Sequence, residues 1–327
     1  MSRTLVTGAT GFLGAHLVRI LVGNGEAVRV LIRSPKRMDI LNDVADQVEI
    51  VQGDVRDFDD VQDALVGVDR VFHCAAFVGF GGRSESDVMM DVNVGGTRTV
   101  VDAALSAGVE RVVHTSSIAA LGRTENSTGC LDETATWAES VLNTAYAVSK
   151  HLAELEVHRA VAEGLDAVIV NPSLVMGPGR AGENTLRIAE RIRDRKLPVM
   201  PSGATNVVDV EDVVKGHVAA MERGRSGERY ILAGQNLPWT EIIGTLAHCL
   251  GVESPRRILS MRAGLIAGGL SELLSKITRK SPLLTRESAR ISCHRSCYLN
   301  DKACTELGLS FRPFTEIAER MAHSLGQ

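Results

Sequence analysis

Near its start the chain reads Thr4-Leu5-Val6-Thr7-Gly8-Ala9-Thr10-Gly11-Phe12-Leu13-Gly14, and this stretch decides the fold. A β-branched run precedes the three glycines, and a segment with helical spacing, Leu13–Gly23, follows them. Glycine is favoured where a strand turns sharply into a helix and where the backbone must approach a pyrophosphate. The helix N-terminus offers free N–H groups and a positive dipole end to phosphates. The stretch predicts a dinucleotide-binding turn, although an ordinary strand-to-helix turn also carries glycines.

Short apolar runs alternate with helical segments along the first half of the chain. The predicted strands are Thr4–Thr7, Val28–Ile32, Val48–Val51, Arg70–His73, Arg111–Thr115 and Ala167–Val170. The segments with helical spacing are Leu13–Gly23, Val61–Leu65, Val88–Ala107 and Ala145–Ala162. This alternation predicts an α/β fold with a doubly wound parallel sheet.

After Asn171 the alternation becomes irregular. We expect residues 1–172 to form a dinucleotide-binding domain, which residues 206–234 rejoin. Residues 173–205 and 235–327 are expected to form a smaller, mostly helical C-terminal lobe that binds substrate. Its predicted elements include a basic helix at Thr185–Lys196 and a C-terminal helix from Phe314.

Composition excludes several classes of protein. The 327 residues include 36 basic and 40 acidic side chains, a net charge of −4, and only 4% are aromatic. This argues against a nucleic-acid or anionic-membrane binder. The best apolar stretch, Leu259–Leu274, is interrupted by Arg262 and Glu272, so no membrane span is predicted. A cytoplasmic protein that binds neither nucleic acid nor membrane is expected.

The six cysteines show no short repeated spacing that would indicate a disulfide framework. Cys293, His294, Cys297 and Cys304 match no zinc pattern, so we predict no metal site and interpret these cysteines as buried, reduced thiols.

The end of the second predicted strand bears on the choice of dinucleotide. It reads Leu31-Ile32-Arg33-Ser34-Pro35-Lys36-Arg37, with no carboxylate. NAD sites place Asp or Glu here, whereas NADP sites favour Arg, whose donor fork suits a 2′-phosphate. We predict NADP(H) rather than NAD(H); the alternative is a solvated basic loop.

A tyrosine and a lysine lie four residues apart in the predicted helix Ala145–Ala162. Tyr146 and Lys150 therefore share one face. A nearby ammonium favours the phenolate, so Lys150 is expected to lower the pKa of Tyr146. Ser117 ends a strand at the edge where doubly wound sheets bind ligands. Its hydroxyl can orient a reacting oxygen, or it can simply cap the next turn.

Taken together, these motifs make the chain similar to an extended short-chain dehydrogenase/reductase, that is, the NAD-dependent epimerase/dehydratase family with a Rossmann fold. It resembles the dihydroflavonol 4-reductase-like branch and the hopanoid-associated sugar-epimerase type. The motifs that carry the resemblance, besides the glycine turn, are Gly53-Asp54-Val55, His73-Cys74-Ala75-Ala76, Asn93-Val94-Gly95-Gly96-Thr97, Thr115-Ser116-Ser117, Tyr146…Lys150, Asn171-Pro172-Ser173, Gly177-Pro178-Gly179 and Val208-Asp209-Val210-Glu211-Asp212-Val213.

The resemblance implies a role for each matching residue. The catalytic residues would be Ser117, Tyr146 and Lys150. The cofactor would be held at its pyrophosphate by Gly8, Thr10, Gly11, Phe12 and Leu13, at its 2′-phosphate by Arg33 and Lys36, at its adenosine by Asp54, Val55, Ala75 and Ala76, and at its nicotinamide by Tyr146, Lys150, Pro172 and Val175. Asn93 is expected to be structural, and helices Val88–Ala107 and Ala145–Ala162 are where a homodimer would form.

Three functions remain open at this stage. The favoured one is an NADP(H)-dependent oxidoreductase that reduces a carbonyl, or oxidises an alcohol, on an apolar or aromatic small molecule. The alternative is a nucleotide-sugar epimerase or dehydratase with tightly bound NAD(P). Two departures weaken it: Ala120-Leu121-Gly122 and Met176-Gly177 stand where many sugar-nucleotide enzymes carry a Tyr-Gly pair. A non-catalytic cofactor-binding regulator is disfavoured, because it would not need an activated phenol.

Overall fold

The computed structural model describes residues 2–79, 83–123, 129–183, 185–278 and 284–326. Its strands within these ranges are β1 (Arg3–Thr7), β2 (Ala27–Ile32), β3 (Val48–Gln52), β4 (Arg70–His73), β5 (Arg111–Thr115), β6 (Ala167–Pro172), β7 (Leu174–Met176), β8 (Val199–Pro201), β9 (Ala204–Asp209), β10 (Arg229–Leu232), β11 (Gln235–Pro238) and β12 (Arg257–Leu259). Its helices there are α1 (Phe12–Gly23), α2 (Phe58–Ala64), α3 (Arg83–Met89), α4 (Gly96–Ala107), α5 (Ala145–Ala162), α6 (Leu186–Arg193), α7 (Val210–Arg223), α8 (Trp239–Cys249), α9 (Met261–Thr278), α10 (Arg286–Cys293), α11 (Asp301–Leu307) and α12 (Phe314–Gly326).

A seven-stranded parallel sheet forms the centre, in the order β10-β6-β5-β4-β1-β2-β3. Helices α1 and α7 cover one face, and α2, α4 and α5 cover the other. Strand β6 is buried along its whole length, as expected for an apolar run covered on both faces. The predicted doubly wound fold is confirmed.

Strand order reverses between β1 and β4, which are neighbours in the sheet. From β1 the chain continues outward through β2 and β3, and then returns to β4, β5 and β6 on the other side. In doubly wound sheets a ligand binds outside the carboxyl ends of the strands at this switch point. The turn after β1 and the segments after β4 and β5 therefore surround the candidate site.

The predicted helical stretch Val88–Ala107 is helical throughout, but it includes a π-helical segment, Met90–Gly95, between α3 and α4. The buried side chain of Asn93 lies within this segment and bonds residues outside it. Its oxygen accepts from the Phe77 N–H at 2.7 Å, and its nitrogen donates to the Phe77 carbonyl and the Ser149 hydroxyl, both at 3.0 Å. Asn93 thus joins the segment after β4 to helix α5, a structural role as expected.

The second half of the chain contributes to both parts of the molecule. Helix α7 packs on the main sheet, and β10 extends that sheet. Strand β9 does not, because it pairs with β7 and β11 in a separate three-stranded sheet. Helices α6, α8 and α12 form an apolar core of their own beside that sheet. Within the described ranges, no helix has the length and apolar character needed to cross a membrane.

The expectation that Cys297 is a reduced thiol is wrong. Cys130 and Cys297 form a disulfide, with a Cα–Cα distance of 4.4 Å. They are 167 positions apart in the sequence, so no short spacing could reveal the pair. Leu131 and Tyr298 form a parallel bridge that places the two cysteines side by side. Cys293 and Cys304 are free and half-buried.

Candidate active site

The turn after β1 brings backbone close to backbone. Gly8 has φ +69°, and a Cβ there would lie 2.6 Å from the Ala75 nitrogen. A Cβ on Gly14 would lie 2.2 Å from the Gly8 carbonyl oxygen, so helix α1 packs directly on the turn. Gly11 begins the helix without a side-chain cap, which leaves N–H groups at the N-terminus available to a ligand. The turn thus has the close backbone packing and the free helix N-terminus that a pyrophosphate needs.

The basic loop after β2 contains cations with different surroundings. Arg33 and Lys36 are exposed and form no hydrogen bond or salt bridge with any residue that the structure describes. Arg37, by contrast, donates to the Glu183 carboxylate at 2.7 Å and 2.9 Å. Two cations beside the turn are thus available to a phosphate, whereas the third is held by the protein.

Asp54 and Val55 follow β3 at the same edge of the sheet. Arg56 donates to both oxygens of the Asp54 carboxylate, at 2.7 Å and 3.0 Å. These hydrogen bonds hold the pKa of Asp54 below its usual value, and the Arg33 guanidinium adds to the effect. Val55 packs on Gly96, where a Cβ would lie 2.9 Å from a Val55 methyl group.

Ala75 and Ala76 continue from β4 on the other side of the switch point. The Ala75 N–H donates to the Thr7 hydroxyl at 3.3 Å, which ties this segment to the end of β1. Ala76 is exposed. Both residues therefore lie at the sheet edge where the cofactor was expected.

The structure brings Ser117 and Tyr146 together at the end of β5. Thr144 caps helix α5 by accepting from the Ala147 N–H at 3.0 Å, which places Tyr146 in the first turn. Burial raises the pKa of the Tyr146 phenol, and the nearby Ser117 hydroxyl partly opposes that rise. Ser117 also accepts from the Ala119 N–H at 3.2 Å, so the alternative role as a cap is present as well.

The expected lowering of the Tyr146 pKa by Lys150 is wrong for this conformation. Burial raises the pKa of Tyr146, and the groups that oppose this are the Ser117 hydroxyl and the Arg123 guanidinium. Lys150 is buried on the same helix and donates to the Thr115 carbonyl at 2.8 Å. Burial lowers its own pKa to about 8. The cation that acts on the phenol here is therefore Arg123.

A buried polar network around Glu154 fixes the backbone at the end of β5. Glu154 accepts from the Ser116 hydroxyl at 2.5 Å and from the Asn171 amide at 2.6 Å. The same Asn171 nitrogen donates to the Ser117 carbonyl at 3.0 Å, and Arg229 approaches Glu154 at 3.5 Å. This network links β5, β6, β10 and α5, so it fixes the backbone that carries the Ser117 hydroxyl.

Uncharged histidines lie beneath the lysine. The Thr115 hydroxyl contacts His217 Nε2 at 2.8 Å and donates to Cys74 Sγ at 3.2 Å. Burial lowers the pKa of His217 to about 4, and burial together with the Lys150 ammonium lowers that of His73 to about 3. Both rings are neutral at pH 7, so Lys150 carries the positive charge of this layer.

The residues expected at the nicotinamide end lie beyond β6. Pro172 is the last residue of β6, and Val175 pairs with Val208 in the smaller sheet. Between them, Ser173 is buried, and its hydroxyl has no partner in the described part of the chain. An unsatisfied buried hydroxyl is costly, so this position favours a polar ligand group such as a carboxamide.

Comparison with known proteins places this geometry in a family. The NAD dependent epimerase/dehydratase family matches residues 4–233. The chain belongs to this family. Sterol demethylase protein B of Methylococcus capsulatus is 37% identical over 91% of this chain and 88% of that protein. A putative dihydroflavonol 4-reductase of Synechocystis is 33% identical over 98% of this chain and 92% of its own length.

Solved structures with the same fold support this family assignment. That of gox2253 has a TM-score of 0.85, with 34% identity over 100% of this chain and 98% of that one. DesIV of Streptomyces venezuelae, a dTDP-glucose 4,6-dehydratase crystallised with NAD, has a TM-score of 0.81 with 25% identity, covering 99% and 97% of the two chains. This member of the epimerase/dehydratase family is an NAD(P)-dependent oxidoreductase, and its fold is the extended short-chain dehydrogenase/reductase fold.

Sequence reasoning missed three polar residues of this family member's site. Glu154 lies four residues after Lys150, so helical spacing alone could have placed it on the same face. Asn171 stands at the carboxyl end of β6, which also makes it a candidate. Arg123 carries no such signal, because only the fold of the loop after Ser117 brings its guanidinium near the phenol.

Proposed function

We propose that the chain is an NADP(H)-dependent carbonyl reductase that uses Ser117, Tyr146 and Lys150. The observation that carries this proposal is the placement of the three residues around the end of β5. Ser117 follows that strand, Lys150 donates to the Thr115 carbonyl at 2.8 Å, and Tyr146 lies one helical turn before Lys150 on α5. These groups lie at the same sheet edge as the Gly8 turn, where a dinucleotide would place its nicotinamide. We also propose that residues 1–172 form the cofactor domain together with α7 and β10 from residues 206–234, and that residues 173–205 and 235–327 bind substrate.

The nicotinamide would supply the hydride in the reductive direction. Ser117 donates a hydrogen bond to the carbonyl oxygen of the substrate and fixes its direction. Tyr146 then gives its phenolic proton to that oxygen. Because burial raises its pKa, the phenol is protonated at pH 7 and suited to act as the acid. Arg123 stabilises the phenolate that remains, and Lys150 binds the cofactor ribose.

The preference for NADP(H) rests on two unengaged cations. Arg33 and Lys36 have no partner in the described part of the chain, and no carboxylate follows β2 where NAD enzymes carry one. The remaining cofactor contacts are proposed as the resemblance implies them. Pro172 and Val175 would approach the carboxamide. The pyrophosphate would be held by Gly8, Thr10, Gly11, Phe12 and Leu13, and the adenosine side by Asp54, Val55, Ala75 and Ala76.

The substrate is proposed to be an apolar or aromatic small molecule with a ketone or aldehyde. Relatives of this chain include proteins named as reductases, among them the Synechocystis dihydroflavonol 4-reductase homologue, which supports a small organic carbonyl. The chain lacks the Tyr-Gly pairs at 121–122 and 176–177 that many sugar-nucleotide enzymes carry.

Replacing Tyr146 by Phe tests the assignment. We expect Tyr146→Phe to lower kcat by at least about a hundredfold, since general acid catalysis contributes that much or more. NADPH oxidation is followed against a panel of ketones, aldehydes and nucleotide sugars, and NADPH binding is followed by protein fluorescence. Tyr230→Phe is the matched control, because the Tyr230 hydroxyl bonds Glu306 away from the site. Full turnover by Tyr146→Phe would refute the proposal.

The second candidate is a nucleotide-sugar epimerase or dehydratase with retained NAD(P). The family description and the likeness to a dTDP-glucose dehydratase favour it. Both reactions use the same acid and base, so the stoichiometry separates them. A reductase consumes one NADPH for each substrate, whereas an epimerase leaves added NADPH unchanged. Turnover of nucleotide sugars without NADPH consumption would replace the first candidate by the second.

A further inference from the structure

Helix α9 turns its large apolar side chains toward solvent. Ile266 is 68% exposed, and Leu270, Leu273 and Leu274 are 58%, 58% and 59% exposed. These four residues, which we call the α9 stripe, follow the spacing of one helix face. Single exposed apolar residues are common on soluble proteins, but a continuous stripe marks an interaction surface.

The opposite face of α9 consists of glycines packed against α10. A Cβ on Gly264 would lie 3.2 Å from the Ala289 methyl group. A Cβ on Gly268 would lie 2.7 Å from the backbone nitrogen of Arg286. The helix therefore cannot rotate to bury its leucines against α10, because side chains larger than glycine would overlap the backbone at the start of α10. The exposure of the α9 stripe is built into the packing.

The stretch of sequence that contains the stripe is rich in basic residues. Residues 256–290 contain eight basic and two acidic residues, although the whole chain has four more acidic than basic ones. The basic ones are Arg256, Arg257, Arg262, Lys276, Arg279, Lys280, Arg286 and Arg290, and the acidic ones are Glu272 and Glu287. Arg256, Arg257 and Arg262 are exposed and precede the stripe in the sequence, and Arg256 lies 3.8 Å from the exposed Glu253 carboxylate. The near-neutral total that argued against a membrane binder conceals this local excess.

We propose that the α9 stripe and the three flanking arginines bind the surface of an anionic phospholipid bilayer. An amphipathic helix with a basic margin lies in the plane of the interface, with its leucines at the boundary between headgroups and acyl chains. Basic residues near the surface add attraction to anionic headgroups. A second copy of the chain fits less well, because two such faces would bring like charges together.

This surface goes beyond the proposed reaction and requires no change in it. The stripe belongs to the C-terminal lobe, on elements other than those that carry Ser117, Tyr146 and Lys150. Membrane binding and NADPH-dependent turnover can therefore fail independently, and each is measured separately.

Vesicle flotation of the full chain tests the proposal. We expect it to float with vesicles of equal phosphatidylcholine and phosphatidylglycerol, less in high salt, and weakly with phosphatidylcholine alone. The variant Ile266→Ser/Leu270→Ser/Leu273→Ser should reduce the bound fraction by more than about tenfold, since apolar burial supplies most of such binding. Arg256→Ala/Arg257→Ala/Arg262→Ala should remove the preference for anionic vesicles. The matched control Ile50→Ser/Val66→Ser removes exposed apolar residues elsewhere and should float like the unaltered chain.

Three outcomes would overturn the proposal. One is absence of flotation with anionic vesicles. Another is equal flotation of the α9 variant, provided that circular dichroism and NADPH binding show it to be folded. The third is a dimer in sedimentation velocity that the α9 variant dissociates while neither protein binds vesicles, which would assign the stripe to a second copy of the chain.

Discussion

Removing the Arg33 guanidinium should weaken NADPH binding and leave NADH binding almost unchanged. A hydrogen bond to a charged group is worth about 1.5–3 kcal/mol net. Arg33 is exposed, so water competes for the phosphate and the lower end of that range applies. About 1.5 kcal/mol corresponds to roughly a tenfold rise in the Kd for NADPH. Only NADPH carries the 2′-phosphate, so the Kd for NADH should stay almost constant. The preference for NADPH, expressed as the Kd for NADH divided by the Kd for NADPH, should therefore fall by the same factor.

Titration of Arg33→Ala with NADPH and NADH, followed by quenching of protein fluorescence, measures this ratio. Arg37→Ala is the matched control: it removes the same charge from the same loop, but the Arg37 guanidinium is held by Glu183. We expect the control to keep the NADPH preference and to show the smaller effect. Equal losses for both cofactors in Arg33→Ala, or a larger change of the ratio in Arg37→Ala, would refute the assignment of the 2′-phosphate to Arg33.

Further predictions concern the turn, the phenol and the buried histidines. Gly8→Ala should abolish NADPH binding and lower Tm, because the added Cβ would overlap the backbone of the segment after β4. Gly25 also has a positive φ, +79°, but a Cβ there would meet open space. Gly25→Ala should therefore lower the free energy of unfolding only by the cost of backbone strain, about 1–2 kcal/mol. Arg123→Met should raise the pKa of Tyr146, so the pH dependence of alcohol oxidation should move to higher pH. Arg123→Lys keeps the positive charge and should show a smaller shift. An unchanged pH profile in Arg123→Met would show that Arg123 does not act on the phenol. His217, with a pKa near 4 when folded, takes up a proton near pH 6.5 when unfolded, so stability should fall as pH drops below 6.5, by about 2 kcal/mol at pH 5. Urea denaturation at pH 7 and pH 5 measures that loss, and equal midpoints would contradict it.

Local pattern was enough to predict the central sheet and helix α5. The run from Ala167 to Val170 is apolar at every position, and only a strand covered on both faces needs that. Helix α5 matches its predicted bounds because Thr144 caps it and its small residues face the sheet. These features depend on residues close together in the sequence, which is why sequence alone could place them.

Features that depend on distant contacts could not be predicted. The π-helical segment in front of α4 contains Asn93, whose side chain bonds Phe77 and Ser149. The separate pairing of β9 depends on strands that precede and follow it in the smaller sheet. In the site, burial of the Tyr146 phenol outweighs the effects of the Ser117 hydroxyl and the Arg123 guanidinium on its pKa, and no spacing rule measures burial.

The disulfide between Cys130 and Cys297 restrains how the two halves of the molecule can move. Cys130 lies in the segment that leads to Tyr146, and Cys297 lies between α10 and α11. While the disulfide is intact, a displacement of the C-terminal lobe at Cys297 also displaces the segment around Cys130, which leads to Tyr146. Residues around Cys297 therefore stay within a disulfide's reach of the stretch that leads to the phenol.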